Sequence, residues 1–254
     1  MEDYFKYKYS NKIEFSISKS SYVSIIGNSS EIFVNSFLSY NNECSIFIEE
    51  KNISSDNFKT MYKDVGIVLY RHLNIFVAET VMDEIAFGLE SLSYSRDDIH
   101  EKVTSEARKF RLNHLLIRDP NSLGSSDKAK MKILCALITN PKILIMDNIL
   151  SELDYNDKLL INEILNDYKK DGGIIINVTS DIEDTLYGDR IIIIYNDSLV
   201  CDGKTLSVLN EEKLLKRLGL GLPFIIELNK YLMDYGMINK YYLTNEKLVG
   251  ALWK

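Results

Sequence analysis

The 254-residue sequence has little of several features that mark particular protein classes. Its three cysteines are scattered and odd in number, so we expect a reducing compartment with the thiols acting as small core residues. The first residues are acidic and lack an apolar segment beside a basic start, so no signal peptide is expected. No apolar run approaches the roughly 20 residues that a membrane-spanning helix needs.

Positive charge is also scarce. Lys and Arg number 30 against 37 Asp and Glu, which gives a formal net charge of −7. Nucleic-acid binding needs a basic face that neutralises phosphates, so we expect no nucleic-acid partner. The three histidines (His72, His100 and His114) show no metal-ligand spacing. Hydrophobic content of 46% with 26% charged residues is typical of a globular protein with one or two domains.

What is present is an alternation of strand and helix patterns. Residues 4–9 and 13–17 alternate between apolar and polar side chains, as half-buried strands do. Continuous apolar runs, typical of strands covered on both faces, occur at 22–26, 65–69, 143–146, 174–178 and 189–195. Helical spacing predicts helices over 98–118, 128–138 and 155–169. The alternation favours an α/β fold with a mainly parallel sheet covered by helices, followed by a small appended region.

Two stretches add a resemblance to a known family. Residues 80–90 read TVMDEIAFGLE, and the tail carries LPF…EL from 222 and LT…LVGALW from 243. With the order of the other landmarks, they resemble the ABC transporter ATPases, most closely the ATP-binding subunits (type A1) of energy-coupling factor (ECF) transporters. That family takes up vitamins and metal ions in bacteria. The resemblance covers the whole chain.

The resemblance implies a P-loop NTPase fold with a mainly parallel sheet, an antiparallel β subdomain and a helical subdomain. The ATPase-like domain is then 1–206, with the helical part at about 90–137, and 207–254 is a C-terminal dimerisation region. It also implies ATP and Mg²⁺ as cofactors. The implied partners are a second ECF ATPase subunit, the transmembrane coupling subunit EcfT and a substrate-binding S subunit, with the chain on the cytoplasmic face of the membrane.

The phosphate loop of such proteins has the form G-x-x-x-x-G-K-[ST]: its backbone N–H groups surround phosphates, its lysine binds them and its hydroxyl binds Mg²⁺. The aligned residues 27–35 read GNSSEIFVN. Gly27 matches, but Ile32, Phe33 and Val34 replace the second glycine, the lysine and the hydroxyl. We therefore expect a strand–turn–helix without a ligand. The family's nucleotide-binding positions are Tyr9, Gly27, Asn28, Ser29, Ser30, Phe33, Val34, Asn35 and Tyr70.

The positions that would carry the chemistry have also changed. Asp147 matches the Mg²⁺-binding aspartate, and it is either that ligand or a cap on the strand end. Asn148 stands where the family has a glutamate base, and losing a positioned base typically costs ~10²–10⁴-fold in rate. Ser180 replaces the switch histidine. Tyr70 replaces the glutamine that senses Mg²⁺, and Tyr9 either stacks on adenine, as the family aromatic does, or packs within its strand.

A second loop would serve the partner. ABC ATPases pair head to tail, so each phosphate loop faces an LSGGQ signature segment whose helix N-terminus points at the phosphate. The aligned signature segment here is Leu123, Gly124, Ser125, Ser126 and Asp127. It either still supports a partner's ATP or is a plain N-capped helix, and the charge of Asp127 would compete with phosphate.

Two further features follow the signature segment in the sequence. We expect Lys128, Lys130 and Lys132 to form a solvated face rather than a phosphate patch. The D-loop, which crosses the dimer interface in the family, is retained at Ser151 and Asp154.

Three functional hypotheses remain open from the sequence. The first is a transporter motor subunit whose own ATP site is degenerate, paired with a partner that hydrolyses ATP. The second is an active ATPase with a rebuilt site, which needs a replacement cation near Gly27; Lys19 and Lys51 are the nearest candidates in sequence. The third is a remnant or decoy outside transport.

Overall fold

The computed structural model describes residues 3–90, 92 and 94–253. Its strands, in chain order, are β1 (Phe5–Tyr9), β2 (Ile13–Ile17), β3 (Ser21–Ile26), β4 (Cys44–Ile48), β5 (Lys51–Ile53), β6 (Val65–Leu69), β7 (Ile143–Asp147), β8 (Ile174–Val178), β9 (Arg190–Tyr195) and β10 (Ser198–Lys204). They form two sheets, of order β2-β1-β4-β5 and β10-β9-β3-β8-β7-β6. The first sheet is antiparallel. The second is parallel except at β9–β10, as the sequence pattern predicts.

Helices lie between the strands in the sequence, and among the described residues four more follow the last strand. They are α1 (Glu31–Asn35), α2 (Val81–Glu90), α3 (Arg96–Lys109), α4 (Ser125–Leu137), α5 (Tyr155–Lys170), α6 (Thr205–Leu209), α7 (Glu212–Arg217), α8 (Phe224–Asp234) and α9 (Asn245–Leu252). Short 3₁₀ turns lie at Phe58–Lys63, Tyr70–His72, Asn113–Leu115, Pro120–Ser122, Ile149–Glu152 and Ile182–Tyr187. Within the described ranges, none of the helices has the length and apolar character needed to cross a membrane.

The central strands are buried on both faces. Residues 143–146 and 174–178 are almost fully inaccessible, which explains why they read as continuous apolar runs. One polar side chain interrupts them: Asn177 is fully buried, and no described residue offers a partner to either atom of its amide. Such a group costs about 1–3 kcal/mol of stability.

Two predicted helices differ in extent. The helix expected over 98–118 starts earlier, where Ser95 accepts a hydrogen bond from the Asp98 backbone, and ends at Lys109. Arg111 then takes a left-handed conformation with φ of 58°, which a continuing helix excludes. The helix expected over 128–138 begins at Ser125, because the signature segment itself forms its first turn.

The C-terminal residues pack against β3 and β9 of the larger sheet. Side chains of α6 to α9 form a hydrophobic cluster with Ile26, Ile191 and Ile193. Asn229 is fully buried there; its amide donates to the carbonyls of Ile225 (2.6 Å) and Tyr242 (2.9 Å) and ties α8 to the segment before α9. The domain boundary at 206/207 remains a prediction.

Candidate nucleotide site

The one glycine retained in the phosphate-loop segment (residues 27–35) has a packing reason to be there. Gly27 directly follows β3 with φ of +129°, a conformation that residues with a side chain rarely adopt. A Cβ at this position would lie 2.0 Å from the carbonyl oxygen of Ile194 on β9. The close approach of two backbones therefore accounts for Gly27 without any phosphate.

The next residues bind the β9–β10 turn. Asn28 Nδ2 donates to Asn196 Oδ1 (2.9 Å), and the Asn196 backbone N–H donates to Asn28 Oδ1 (2.8 Å). The backbone N–H of Asp197 donates to Ser29 Oγ at 3.2 Å. Ser30 precedes α1 without making a side-chain cap. Two polar side chains at nucleotide-binding positions are therefore occupied by the neighbouring hairpin.

Helix α1 inserts its side chains into the core. Phe33, at the family's lysine position, is 0% exposed, and Val34 is 1% exposed. The centroid of the Phe33 ring lies between 4.9 and 6.3 Å from the centroids of Tyr7, Phe37, Phe15 and Phe5. These distances and tilts are typical of packed aromatic side chains. The position that would carry a lysine is therefore the centre of a five-ring cluster.

The predicted catalytic positions do lie together. Asn148 follows β7 in a left-handed conformation (φ 50°), which Asn tolerates better than most residues. Its Oδ1 accepts hydrogen bonds from the backbone N–H (2.8 Å) and hydroxyl (3.0 Å) of Ser180, and its Nδ2 donates to Asp147 Oδ1 at 3.3 Å. The Asn148 amide thus links the end of β7 to the switch position. Unlike a glutamate carboxylate, it cannot act as a general base.

The switch segment (residues 180–187) is also held from behind. Lys158 of α5 donates to the buried Asp184 carboxylate at 2.8 Å, and Thr179 Oγ1 donates to its other oxygen at 3.3 Å. Burial nevertheless raises the pKa of Asp184, with Lys158 acting against the shift. On the outer side, the backbone N–H of Phe224 donates to Glu183 at 2.6 Å, which connects this segment to α8.

Arg71 lies close to Asp147 and Asn35, and the sequence interpretation overlooked it. Burial raises the pKa of the Asp147 carboxyl, Glu31 adds to the rise, and Asn148 and Arg71 oppose it. The Arg71 guanidinium also donates to Asn35 Oδ1 at 3.2 Å. Its place next to Tyr70, at the family's glutamine position, is the signal that could have identified it.

Other predicted positions are dispersed. Tyr70 is 50% exposed, and Tyr9 is partly buried with its hydroxyl donating to Glu43 at 3.0 Å. Lys19, considered as a replacement cation, instead lies 3.8 Å from Glu49 and over the Tyr4 ring.

The signature segment opens α4, with Leu123 buried and Gly124 and Ser125 exposed. Ser126 Oγ donates to Asp157 Oδ2 of α5 at 2.5 Å and accepts from the backbone N–H of Asp154 at 3.3 Å. The D-loop thus meets the signature segment within the chain. The Ser151 hydroxyl makes a local contact, donating to the Asn148 carbonyl three residues earlier at 2.6 Å.

The expectation of a solvated lysine face was wrong for two of its three members. Lys130 is 5% exposed and pairs with Asp127 (2.9 Å) and Asp157 (3.0 Å). Lys132 pairs at 2.8 Å with Glu84, which is itself buried. Asp157 lies on α5 and Glu84 on α2, so no helical period within α4 reveals these two pairs.

The chain was also compared with known proteins. The energy-coupling factor transporter ATP-binding protein EcfA1 of Mycoplasmopsis synoviae (strain 53) is 30% identical over 230 residues, 87% of this chain and 86% of that protein. The EcfA protein of Pediococcus pentosaceus is 29% identical over 246 residues, 91% and 88% of the two chains. The chain belongs to the family of energy-coupling factor transporter ATP-binding proteins. No protein-family model matches it.

The fold agrees with this family. The structure of cbiO1 from Clostridium perfringens, part of the ABC transporter complex cbiONQ, superposes with a TM-score of 0.73 at 22% identity, covering 90% of this chain and all of that one. The resemblance to the ABC ATPase fold inferred from the motifs is thus confirmed. The ECF motif at 80–90 forms α2 almost completely.

A groove of about 490 Å³ lies beside this ECF motif. It is lined by β6, an outer strand of the larger sheet, together with Tyr62, Ile75 and residues of α4. Glu84 of α2 accepts hydrogen bonds from the backbone N–H groups of Val77 (2.8 Å) and Ala78 (3.0 Å). It therefore holds in place a loop whose Ile75 and Val77 are 58% and 71% exposed.

Proposed function

We propose that the chain is a subunit of an ECF-type uptake transporter for a vitamin or metal ion and that its own ATP site is inactive. In this role it pairs with a second ECF ATPase subunit on the cytoplasmic face of the membrane. It couples the ATP hydrolysis of that partner to the coupling subunit EcfT and the substrate-binding S subunit.

The observation that carries the inactive site is the burial of Phe33. The residues present do not fit a magnesium nucleotide: the lysine position is a core aromatic, the hydroxyl position is buried Val34, and residues 27–35 contain Glu31 and no cation. A phosphate placed there would meet the Glu31 carboxylate and no charged donor from residues 27–35, and the nearby Arg71 guanidinium already donates to Asn35. No step of hydrolysis can be assigned to this edge.

The coupling role is supported by what lies away from that edge. The loop beside the β6 groove has exposed apolar side chains on a backbone fixed by buried Glu84 and Lys132. The C-terminal helices likewise leave Phe224, Tyr231 and Trp253 more than half exposed. Apolar surface of this kind on fixed elements is what protein partners bind.

Isothermal titration calorimetry of the isolated chain with Mg-ATP tests the inactive site. We expect no heat of binding at micromolar to submillimolar nucleotide, with an intact ECF ATPase subunit as the positive control. Micromolar, Mg²⁺-dependent binding would contradict the proposal.

Purification of the tagged chain from its own host membranes tests the coupling role. We expect a second ECF ATPase subunit and a membrane protein to co-purify with it. If neither does, the remnant or decoy hypothesis takes its place.

Arg71 favours a second candidate, the active ATPase with a rebuilt site, because it brings a cation to Asp147 and Asn35. If that candidate were right, the isolated chain would hydrolyse ATP and Arg71→Ala would abolish the activity. We expect no activity in either protein.

A further inference from the structure

The single O–H donor of Ser126 is engaged inside the chain. The hydroxyl donates to Asp157 Oδ2 and accepts from the Asp154 backbone, so both of its hydrogen-bonding roles point toward α5. The backbone N–H groups in the first turn of α4 have no partner within their own helix, and the helix dipole favours an anion there. This end of α4 therefore offers backbone donors to a phosphate while its serine side chain is engaged elsewhere.

Asp157 is fixed in the position from which it holds Ser126. Lys130 lies 3.0 Å from it and is buried, and Asp127 shares the same ammonium at 2.9 Å. The backbone N–H of Asp157 donates to Asp154 Oδ1 at 2.8 Å, which caps α5. A carboxylate oriented by a buried cation and by a helix cap accepts a strong, short hydrogen bond.

We propose that Asp157 is a positioning residue that keeps Ser126 from the nucleotide of the partner subunit, and so slows ATP turnover at the site that this chain completes. The inference rests on the proposed function, since it needs a second ATPase whose phosphate loop faces α4. A phosphate must compete with the Asp157 carboxylate for the Ser126 hydroxyl, and the Asp157 charge also opposes the approach of the phosphate.

The test compares ATP turnover by the purified complex with the second ATPase subunit, using wild-type chain and Asp157→Ala. We expect the variant to raise kcat about tenfold, the scale of releasing one charge-assisted hydrogen bond, and to lower KM for ATP. Asp167→Ala is the matched control: it lies on the same helix and also loses an ion pair, to Lys170 at 2.7 Å, but is exposed. It should leave kcat and KM unchanged.

Ser126→Ala separates this role from a structural one. If Asp157 acts by capturing the hydroxyl, the double variant Ser126→Ala/Asp157→Ala loses most of the gain. A merely structural link between α4 and α5 predicts instead that both single variants lower activity together with the melting temperature. Asp157→Asn keeps an acceptor for Ser126 and should give a smaller rise; it is also the variant to use if Asp157→Ala does not fold.

The outcomes distinguish this inference from the proposed function. A complex that forms and hydrolyses ATP, but in which folded Asp157→Ala or Asp157→Asn is no faster than wild type, overturns the inference alone. A chain that associates with no second ATPase overturns both.

Discussion

The phosphate-loop segment and the signature segment both differ from the family's sequence pattern, and their replaced residues are held by different kinds of contact. In the first, apolar side chains fill the space, with Phe33 in a ring cluster and Val34 beside it. In the second, polar groups are paired with one another, as Ser126, Asp157 and Lys130 are. Under the proposed function, building a phosphate site in the first segment requires disrupting the core, whereas one substitution is enough to release Ser126 in the second.

Phe33→Lys gives the largest expected effect, because it disrupts the aromatic cluster in the phosphate-loop segment. Removing a core aromatic and burying an ammonium among four rings should lower the free energy of unfolding by about 4 kcal/mol. Urea denaturation measures the loss, and calorimetry should still detect no ATP binding. Glu31→Lys, on the same helix but exposed, should change stability by less than about 0.5 kcal/mol. A stable Phe33→Lys protein that binds Mg-ATP would contradict the packing argument.

Lys158→Met tests a polar contact of α5, the ion pair that Lys158 forms with Asp184 of the switch segment. It leaves the Asp184 carboxylate buried and unpaired, which should cost about 3 kcal/mol at pH 7 by urea denaturation. Lys170→Met, which breaks an exposed pair on the same helix, should have little effect on stability because solvent screens that pair.

The cost of Lys158→Met should also depend on pH. Burial already raises the pKa of Asp184 in the wild type, and losing Lys158 raises it further. The folded state then binds more protons than the unfolded chain, so stability falls as pH rises above the ordinary Asp pKa of about 3.9. The deficit of the variant should therefore shrink between pH 7 and pH 5. An equal deficit at both pH values would argue against an unpaired carboxylate.

Glu84→Gln is expected to have the smallest effect, and it extends the comparison to the loop beside the groove. Burial alone would raise the pKa of Glu84, but hydrogen bonds from Lys132, Ala78 and Val77 outweigh it and lower the pKa. The charge therefore contributes stability above the ordinary Glu pKa of about 4.3, and this contribution is lost as pH falls through the lower folded-state pKa. We expect a loss of about 1–2 kcal/mol at pH 7.

Hydrogen exchange locates this last effect. Amides of residues 75–80 should exchange faster in Glu84→Gln at pH 7, whereas Glu90→Gln, exposed on the same helix, should not change them. Unchanged exchange at residues 77 and 78 would mean that the carboxylate does not hold the loop.

Much of the fold could be predicted because its signals are local. The apolar runs of the central strands and the motif at 80–90 each lie within one stretch of sequence, and the strand predictions are confirmed. The predicted extent of α3 was wrong because the left-handed residue Arg111 ends the helix. The predicted exposure of Lys130 was wrong because Asp157, on another helix, pairs with it. The assignments at Asp147 and Tyr9 stay predictions.

The family, the parallel sheet and the residues at each nucleotide position could be predicted from motifs and periodicity, because these are written in chain order. The contacts that the replaced residues make arise only when distant parts of the chain fold together. Gly27 is retained against the backbone of Ile194, Phe33 packs among aromatic rings, and Ser126 binds Asp157. The contacts Gly27–Ile194, Phe33–Tyr7 and Ser126–Asp157 each join residues at least 26 positions apart, and their energies depend on burial and distance that no local pattern contains.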